Sequence, residues 1–450
     1  MVNARISVEH VVVIGASAAG LFAAAAASGA GARVTVLERD ETIGTAQPRY
    51  GVPQGRHPHV FLHRGLQAAE EFFPGLRDDL MAVGARPFDT AKLAWLGENG
   101  WSTRNASSYQ VLSTTRPRLE ACIAARVAEL PWVTIRNPVT ATGLTRSARG
   151  WSVILSDGST LDAELVVDAS GRTSRFRRWL TELAGDAVRT TEVDAKIGYS
   201  TRVYEGDPDL ADVPGVVIGP TPEAPRGGLA LPVEGGRWMI MVLGMGEHRP
   251  PRGNAGFDEF LTQLRDPALA GIAARLNPVG DAMVYRQTSN VRHHYEALPN
   301  WPDGLLVAGD ALCAFNPVYG QGISVAAAEA LALREVLRDG PTTGWSRRLM
   351  TRFADLAETP WSICTGQDRR YRSCPDDPTR LEHLSNQWAL QLGRLQAHGN
   401  LRAARTLSGV YHLMTPTRQL FHPALIAASV AGRFRGYGPL TARPAGLPAA

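Results

Sequence analysis

Residues 11–40 read VVVIGASAAGLFAAAAASGAGARVTVLERD, and their order decides the fold. A buried-strand run, Val11–Ile14, meets a glycine turn, Gly15-Ala16-Ser17-Ala18-Ala19-Gly20. A helix of small residues follows, then a second strand, Arg33–Leu37, and an acid, Glu38. This is the pattern of a dinucleotide-binding βαβ unit. Gly15 permits the sharp turn out of the strand, and Gly20 lets the helix pack closely on the sheet. The helix start at Ser17, Ala18 and Ala19 offers unpaired N–H groups and a partial positive charge to a pyrophosphate. Ser17 takes the place of the usual middle glycine and is small enough for a phosphate to approach. Glu38 stands 23 positions after Gly15, where an acid accepts hydrogen bonds from a ribose, and Arg39 beside it joins the candidate cofactor contacts.

The same stretch has no charge from residue 11 to 32 and follows Arg5, so it imitates an export signal or a membrane span. Its glycines and β-branched start argue against a spanning helix, and a cleaved signal would not end in Thr-Val-Leu-Glu-Arg-Asp. The expectation is a cytoplasmic protein with no membrane span. The 450 residues suffice for two domains and a large core, and 44% hydrophobic with 20% charged residues is ordinary for a globular enzyme. Only Lys92 and Lys196 are lysines, and the arginines are scattered without a basic tract, so no nucleic-acid partner is expected. Cys122, Cys313, Cys364 and Cys374 show no C-x-x-C spacing and read as reduced thiols. His57-x-His59-x-x-x-His63 lacks a following acid or cysteine at ligand spacing, so no metal site is expected.

Hydrophobic periodicity predicts a helix over 60–73, antiparallel strands over 89–113 and a helix over 116–130. Strands are expected at Trp151–Leu155, Leu161–Val167, Ile197–Tyr204 and Arg237–Leu243, and mainly helix over 345–440. The nucleotide-binding domain then comprises residues 1–88, 114–189 and 291–342. Substrate-domain strands occupy 89–113 and 190–290, a helical region 343–440, and a loose tail 441–450.

Two later segments turn a dinucleotide binder into a flavin enzyme. Gly304-Leu305-Leu306-Val307-Ala308-Gly309-Asp310 is a buried strand ending in Gly-Asp, which puts a carboxylate where ribityl hydroxyls lie. Asn316-Pro317-Val318-Tyr319-Gly320-Gln321-Gly322 then opens a helix at Ile323, and its N-terminal dipole favours negative charge on a reduced flavin ring. The fold class is therefore α/β: a three-layer, Rossmann-like FAD-binding domain, an inserted antiparallel β-sheet substrate domain and a C-terminal helical region.

With these motifs, residues 10 to about 340 resemble the FAD-dependent monooxygenases of the aromatic-hydroxylase type. The resemblance implies that Arg116, in Arg116-Pro117-Arg118-Leu119, contacts the FAD pyrophosphate, and that the backbone of Val139 meets the adenine. Gly51-Val52-Pro53-Gln54-Gly55-Arg56-His57-Pro58-His59 together with Asp168-Ala169-Ser170-Gly171-Arg172 is similar to the bacterial polyene epoxidases of polyether biosynthesis. That likeness lays the 51–59 loop against the flavin ring, with Arg56 or nearby amides at its polar edge. The aromatic hydroxylases have Gly-Ala-Asp-Gly where Asp168-Ala169-Ser170-Gly171 stands here. Ser170 thus occupies the place of an acid that helps bind FAD and the nicotinamide, leaving NAD(P)H or a separate flavin reductase as the electron source. The family's activity implies O₂ as co-substrate, with oxygen transferred through a flavin C4a-hydroperoxide to a hydrophobic polyketide-like metabolite. A redox-neutral FAD-containing cyclase carries the same cofactor motifs and stays open. A flavin halogenase ranks lower, because Trp238-Met239-Ile240 only approximates the Trp-x-Trp-x-Ile segment of those enzymes. Tyr199 and Arg202 are candidates to face the substrate, while the acid–base residues stay unassigned.

Overall fold

The computed structural model describes residues 6–105, 107, 109–185, 187–210 and 213–449. Its centre is a five-stranded parallel sheet in the order Leu305–Val307, Leu165–Asp168, His10–Ile14, Arg33–Leu37 and Val133–Arg136. Val11, Val12 and Val13 are wholly buried, as a strand covered on both faces requires. The Ala18–Ser28 helix packs against the Gly322–Asp339 and Arg116–Ala128 helices. Its run of alanines permits that close approach. An antiparallel sheet of Ala141–Ser147, Gly150–Leu155 and Thr160–Ala163 adds Trp151, Val153 and Leu155 to the same core.

The second sheet has seven strands in the order Asn277–Tyr285, Ile197–Glu205, Arg237–Met245, Arg226–Val233, Val216–Ile218, Ala94–Gly97 and Gly100–Trp101. Helices Asn254–Thr262 and Ala268–Ala274 bury Phe257, Phe260, Leu269 and Ile272 against the face holding Tyr204, Ile240 and Val242. Side chains alternate along a strand, so Tyr199 and Thr201 project from the opposite face. That face looks into the interior of the molecule.

Several local readings change. The expected helix over 60–73 is a short strand, His59–Phe61, followed by a helix, His63–Phe72. The β-bridge to Gln110–Thr114 outweighs the helical spacing of its first residues. Residues 89–113 split between sheets: Ala94–Gly97 runs parallel to Val216–Ile218, whereas Gln110–Thr114 pairs with His59–Phe61 and Arg86–Asp89. The strand expected at 161–167 is two, Thr160–Ala163 and Leu165–Asp168, in different sheets. The end of the chain, expected as a loose tail, is anchored. Arg443 Nε reaches Asp266 Oδ2 at 2.9 Å, and Leu447 is buried in the core of the second sheet.

Candidate functional site

The turn after the first strand is built as the glycine pattern demands. Gly15 has φ +103°, and a methyl group there would stand 2.6 Å from the Ala169 carbonyl oxygen. A methyl on Gly20 would collide with the carbonyl of Gly15. Ser17 caps the helix without a side-chain bond to its backbone, so the N–H groups at Ala18, Ala19 and Gly20 stay available to a phosphate.

Around this turn lies a buried ionic network that the sequence reading only half contained. Glu38 accepts from the Ala16 N–H at 2.8 Å and from the Asp40 N–H at 3.0 Å. Arg49 sits between Glu38 (3.3 Å), Asp40 (3.7 Å) and Glu120 (2.8 Å). Arg116 closes the ring, with Nη2 2.7 Å from Glu120 Oε1 and 3.1 Å from Ser17 Oγ, which itself donates to Glu120. Burial works to raise the Glu120 carboxyl, but Arg116 and Arg49 overcome it and hold the pKa at about 2. Arg49, Ala16, Gly55, Arg116 and Glu120 line one cleft there. Arg49 and Glu120 were missed as site residues; the signal was a basic residue in the 47–56 loop and an acid one position after Arg-x-x-Leu. Val139 donates its N–H to the Glu38 carbonyl at 2.7 Å, and its side chain packs against the main core. Arg39 and Arg56 are exposed and form no ion pair among the described residues.

The site continues past the helix start, where a methyl on Gly309 would stand 2.7 Å from Ala19 Cβ; next to it Asp310 follows the Leu305–Val307 strand and pairs with Arg172 at 3.5 Å. Gly320 has φ +67°, and a methyl on Gly322 would lie 3.5 Å from Asp310 Oδ1, so that carboxylate stands at the start of the Gly322–Asp339 helix. Ile323 is buried behind it. Gln321 Oε1 is buried without a donor among the described residues. The Asn316–Gly322 loop is held from behind by Asp368, the last residue of the Trp345–Asp368 helix. Its carboxylate accepts from Asn290 Nδ2 (2.7 Å), Asn316 Nδ2 (3.1 Å) and Tyr319 Oη (2.7 Å). Glu329 accepts from the Gly309 N–H at 2.8 Å, and its other oxygen has no partner among the described residues. Burial pushes Glu329 up to about 8 and Asp368 to about 6.

The 51–59 loop carries two histidines into the interior. His57 Nδ1 meets Thr201 Oγ1 at 2.8 Å, and its ring lies 4.7 Å from Tyr199, edge-on, and 5.7 Å from Tyr285. Burial, then the nearby His59 and Arg56, lowers His57 to about 3, so the ring is neutral. His59 Nδ1 bonds the His57 carbonyl at 2.9 Å; burial and Arg116 take it down to about 4. His63 Nδ1 turns instead to the Gln110 carbonyl, so the three histidines do not converge on one point. Burial raises Tyr199 and Tyr285, while the Arg172 charge lies close enough to oppose it in both. Arg172 also donates to the Ser289 and Phe315 carbonyls, which sets the Arg172–Asp310 pair against the segment that follows Tyr285. Tyr199 is on the neutral aromatic wall with His57 and Tyr285, but Arg202 is not. The alternation of the strand turns Arg202 to the opposite face, where it bonds the Gly280 carbonyl at 3.1 Å and faces Asp258 at 3.6 Å. Ser170 Oγ donates to Asp168 Oδ1 at 2.6 Å.

These residues fit FAD. A backbone-lined helix start and two arginines suit a pyrophosphate, Glu38 suits a ribose, Asp310 suits ribityl hydroxyls, and the unsatisfied Gln321 oxygen sits beside the helix that would face the ring.

The chain is also similar to known proteins. Residues 9–349 match the model of the FAD binding domain family. Protein Rv3254 of Mycobacterium tuberculosis is 33% identical over 352 residues, 73% of each chain. The 6-methylpretetramide 4-monooxygenase of Streptomyces rimosus is 24% identical over 414 residues, 88% of each chain. Among solved structures, the Diels-Alderase PyrE3 of the pyrroindomycin pathway superposes with a TM-score of 0.63 at 16% identity, covering 91% of this chain and 81% of that one. The chain belongs to the FAD binding domain family and is an FAD-dependent oxidoreductase.

Proposed function

We propose that this protein inserts one oxygen atom from O₂ into a hydrophobic, polyketide-like metabolite, by epoxidation of a carbon–carbon double bond or hydroxylation of an aromatic ring. The observation that carries this reading is the neutral aromatic wall of His57, Tyr199 and Tyr285 beside the Arg172–Asp310 end of the cofactor cleft. FAD, bound there and reduced, supplies the oxygen-activating chemistry. The chain's own part is positional. Arg116 and the helix start at Ser17 hold the pyrophosphate, Glu38 the ribose and Asp310 the ribityl chain. The Gly322 helix dipole favours a negatively charged reduced ring. His57 is neutral and fixed by Thr201, and the tyrosines stay protonated, so this buried aromatic wall carries no formal charge. Such a wall orients an apolar substrate and limits water, which protects an oxygenating site from wasteful side reactions. The electrons come from NAD(P)H or from a separate flavin reductase, and the protein works in the cytoplasm. Among the described residues no helix is long and apolar enough to cross a membrane.

The test supplies a polyketide-like substrate under ¹⁸O₂ with a reducing system, and again anaerobically with oxidised FAD. A product carrying one labelled oxygen, formed only with O₂ and reductant, supports the proposal. An isomer of unchanged mass formed anaerobically would make the protein a redox-neutral cyclase instead.

A further inference from the structure

The charge of this chain is unevenly placed. Residues 383–450 contain seven arginines and no Asp, Glu or Lys, so the overall +4 combines +7 there with −3 in residues 1–382. Two of the seven are engaged: Arg443 pairs with Asp266, and Arg394 lies over the Tyr437 ring. Arg402, Arg405, Arg418, Arg433 and Arg435 are exposed, and none forms an ion pair or side-chain hydrogen bond among the described residues.

The same region exposes a row of large apolar side chains. The Pro423–Arg435 helix buries Leu425 and Gly432 on one side, and Leu425 joins a small core with Leu392, Leu395 and Ala403. Its other side carries Ile426 (43% exposed), Val430 (51%) and Phe434 (83%), each four residues after the last. A period of about 3.6 residues puts these on one stripe, with Arg433 at its edge and Arg435 about 100° round the helix beyond Phe434. Phe421 (54% exposed), stacked on Trp388 just before the helix, extends the apolar surface.

We propose that this helix is an interfacial anchor that seats on an anionic lipid bilayer. Phe434, Val430 and Ile426 enter the headgroup–acyl boundary, while Arg433, Arg435 and Arg418 meet lipid phosphates. An apolar stripe flanked by arginines on a short helix without acids is the pattern of helices that lie in the membrane plane. Arginine stems cover the apolar edge and carry their charge outward to the headgroups. A second copy of the chain is a poor occupant, because a self-complementary contact would set these unpaired arginines against their own kind. Thirteen residues are also too few to span a bilayer, so the helix lies on the surface.

The experiment sediments the FAD-loaded protein with phosphatidylcholine vesicles, with and without phosphatidylglycerol. Wild type is expected to bind the anionic vesicles only and to release as salt rises. The triple variant Ile426→Ser, Val430→Ser, Phe434→Ser and the double variant Arg433→Gln, Arg435→Gln should each bind at least about tenfold more weakly. Unchanged flavin absorbance and circular dichroism would show that both variants remain folded, since the replaced side chains project away from the core. Absence of wild-type binding to anionic vesicles would overturn the proposal, as would binding indifferent to both variants. Self-association of wild type in sedimentation velocity that the triple variant abolishes would overturn it too, by making the stripe an interface between copies.

Discussion

The two ends of the cofactor cleft handle buried carboxyl groups in opposite ways. At the glycine turn, Glu38, Asp40 and Glu120 share two arginines, Arg49 and Arg116, and Glu120 is held ionised well below the ordinary carboxylate range. At the Gly309–Gly322 end, Glu329 and Asp368 have no arginine partner among the described residues. They meet amide, hydroxyl and backbone donors, and burial raises both. The difference fits the proposed placing of the cofactor, with its pyrophosphate at the first end and its ring at the second. A pyrophosphate brings fixed negative charge, so cations must already be assembled there, and the carboxylates hold those cations in place. A flavin ring gains negative charge only on reduction, and at this end Arg172 is already paired with Asp310, which leaves the Gly322 helix dipole to favour that state.

Arg49→Ala breaks this contrast most severely. It leaves Glu38 and Asp40 without an arginine partner among the described residues and Glu120 with Arg116 alone, and breaking a buried pair costs about 3–5 kcal/mol. Urea unfolding of the FAD-free protein should show that loss, before any effect on cofactor binding is counted. An unchanged midpoint would mean that the network is solvated and contributes little.

Asp310→Ala should behave differently. Asp310 is partly exposed and has one distant cation, Arg172 at 3.5 Å, so its removal should barely alter stability. Its carboxylate is poised to accept from the cofactor, and losing a charge-assisted hydrogen bond of about 1.5–3 kcal/mol weakens FAD roughly ten- to a hundredfold. Titrating FAD into the deflavinated variant measures it. Wild-type affinity would remove Asp310 from the site.

The glycine turn and the Gly-Asp strand were legible in the sequence because backbone conformation dictates their residues. Gly15, Gly20 and Gly320 sit where a side chain would collide or where φ is positive. The ionic network was not legible, since Arg49 and Glu120 are 71 positions apart and meet only once the 47–56 loop folds over the helix. The misplaced Arg202 shows a third case. Its strand was recognised, but which alternate face met the cleft depended on helices 254–262 and 268–274 covering the other one. The strand at 59–61 was hidden because its partner lies more than fifty residues away at Gln110–Thr114.

The two ends should also divide in their response to pH. Glu120 has a depressed pKa, so it stabilises the fold above its ordinary 4.5, and that contribution is lost as pH falls towards 2. Glu329 is the reverse: its raised pKa means the native state holds the proton more tightly. Its contribution is full below 4.5 and is lost as pH rises through about 8. Denaturation midpoints between pH 5 and 9 should fall less steeply in Glu329→Gln than in wild type. Parallel profiles would place Glu329 in contact with water.

The smallest expected change concerns Ser170 and the electron source. Its hydroxyl donates to the buried Asp168, whose other oxygen is bonded by Ser174, so the carboxylate at this strand end is already enclosed. Burial raises the Asp168 pKa despite those donors. Ser170→Asp would replace a donor by a second carboxylate against Asp168, and two carboxylates so close cannot both ionise. The substitution should therefore not create the acid that the aromatic hydroxylases present to a nicotinamide. Mixed anaerobically with NADPH, wild type and Ser170→Asp should both keep the oxidised flavin spectrum over minutes. Dithionite or a flavin reductase should bleach both. Rapid bleaching of wild type by NADPH, quickened by substrate, would show that this enclosed serine leaves the nicotinamide route intact, and would make the separate reductase unnecessary.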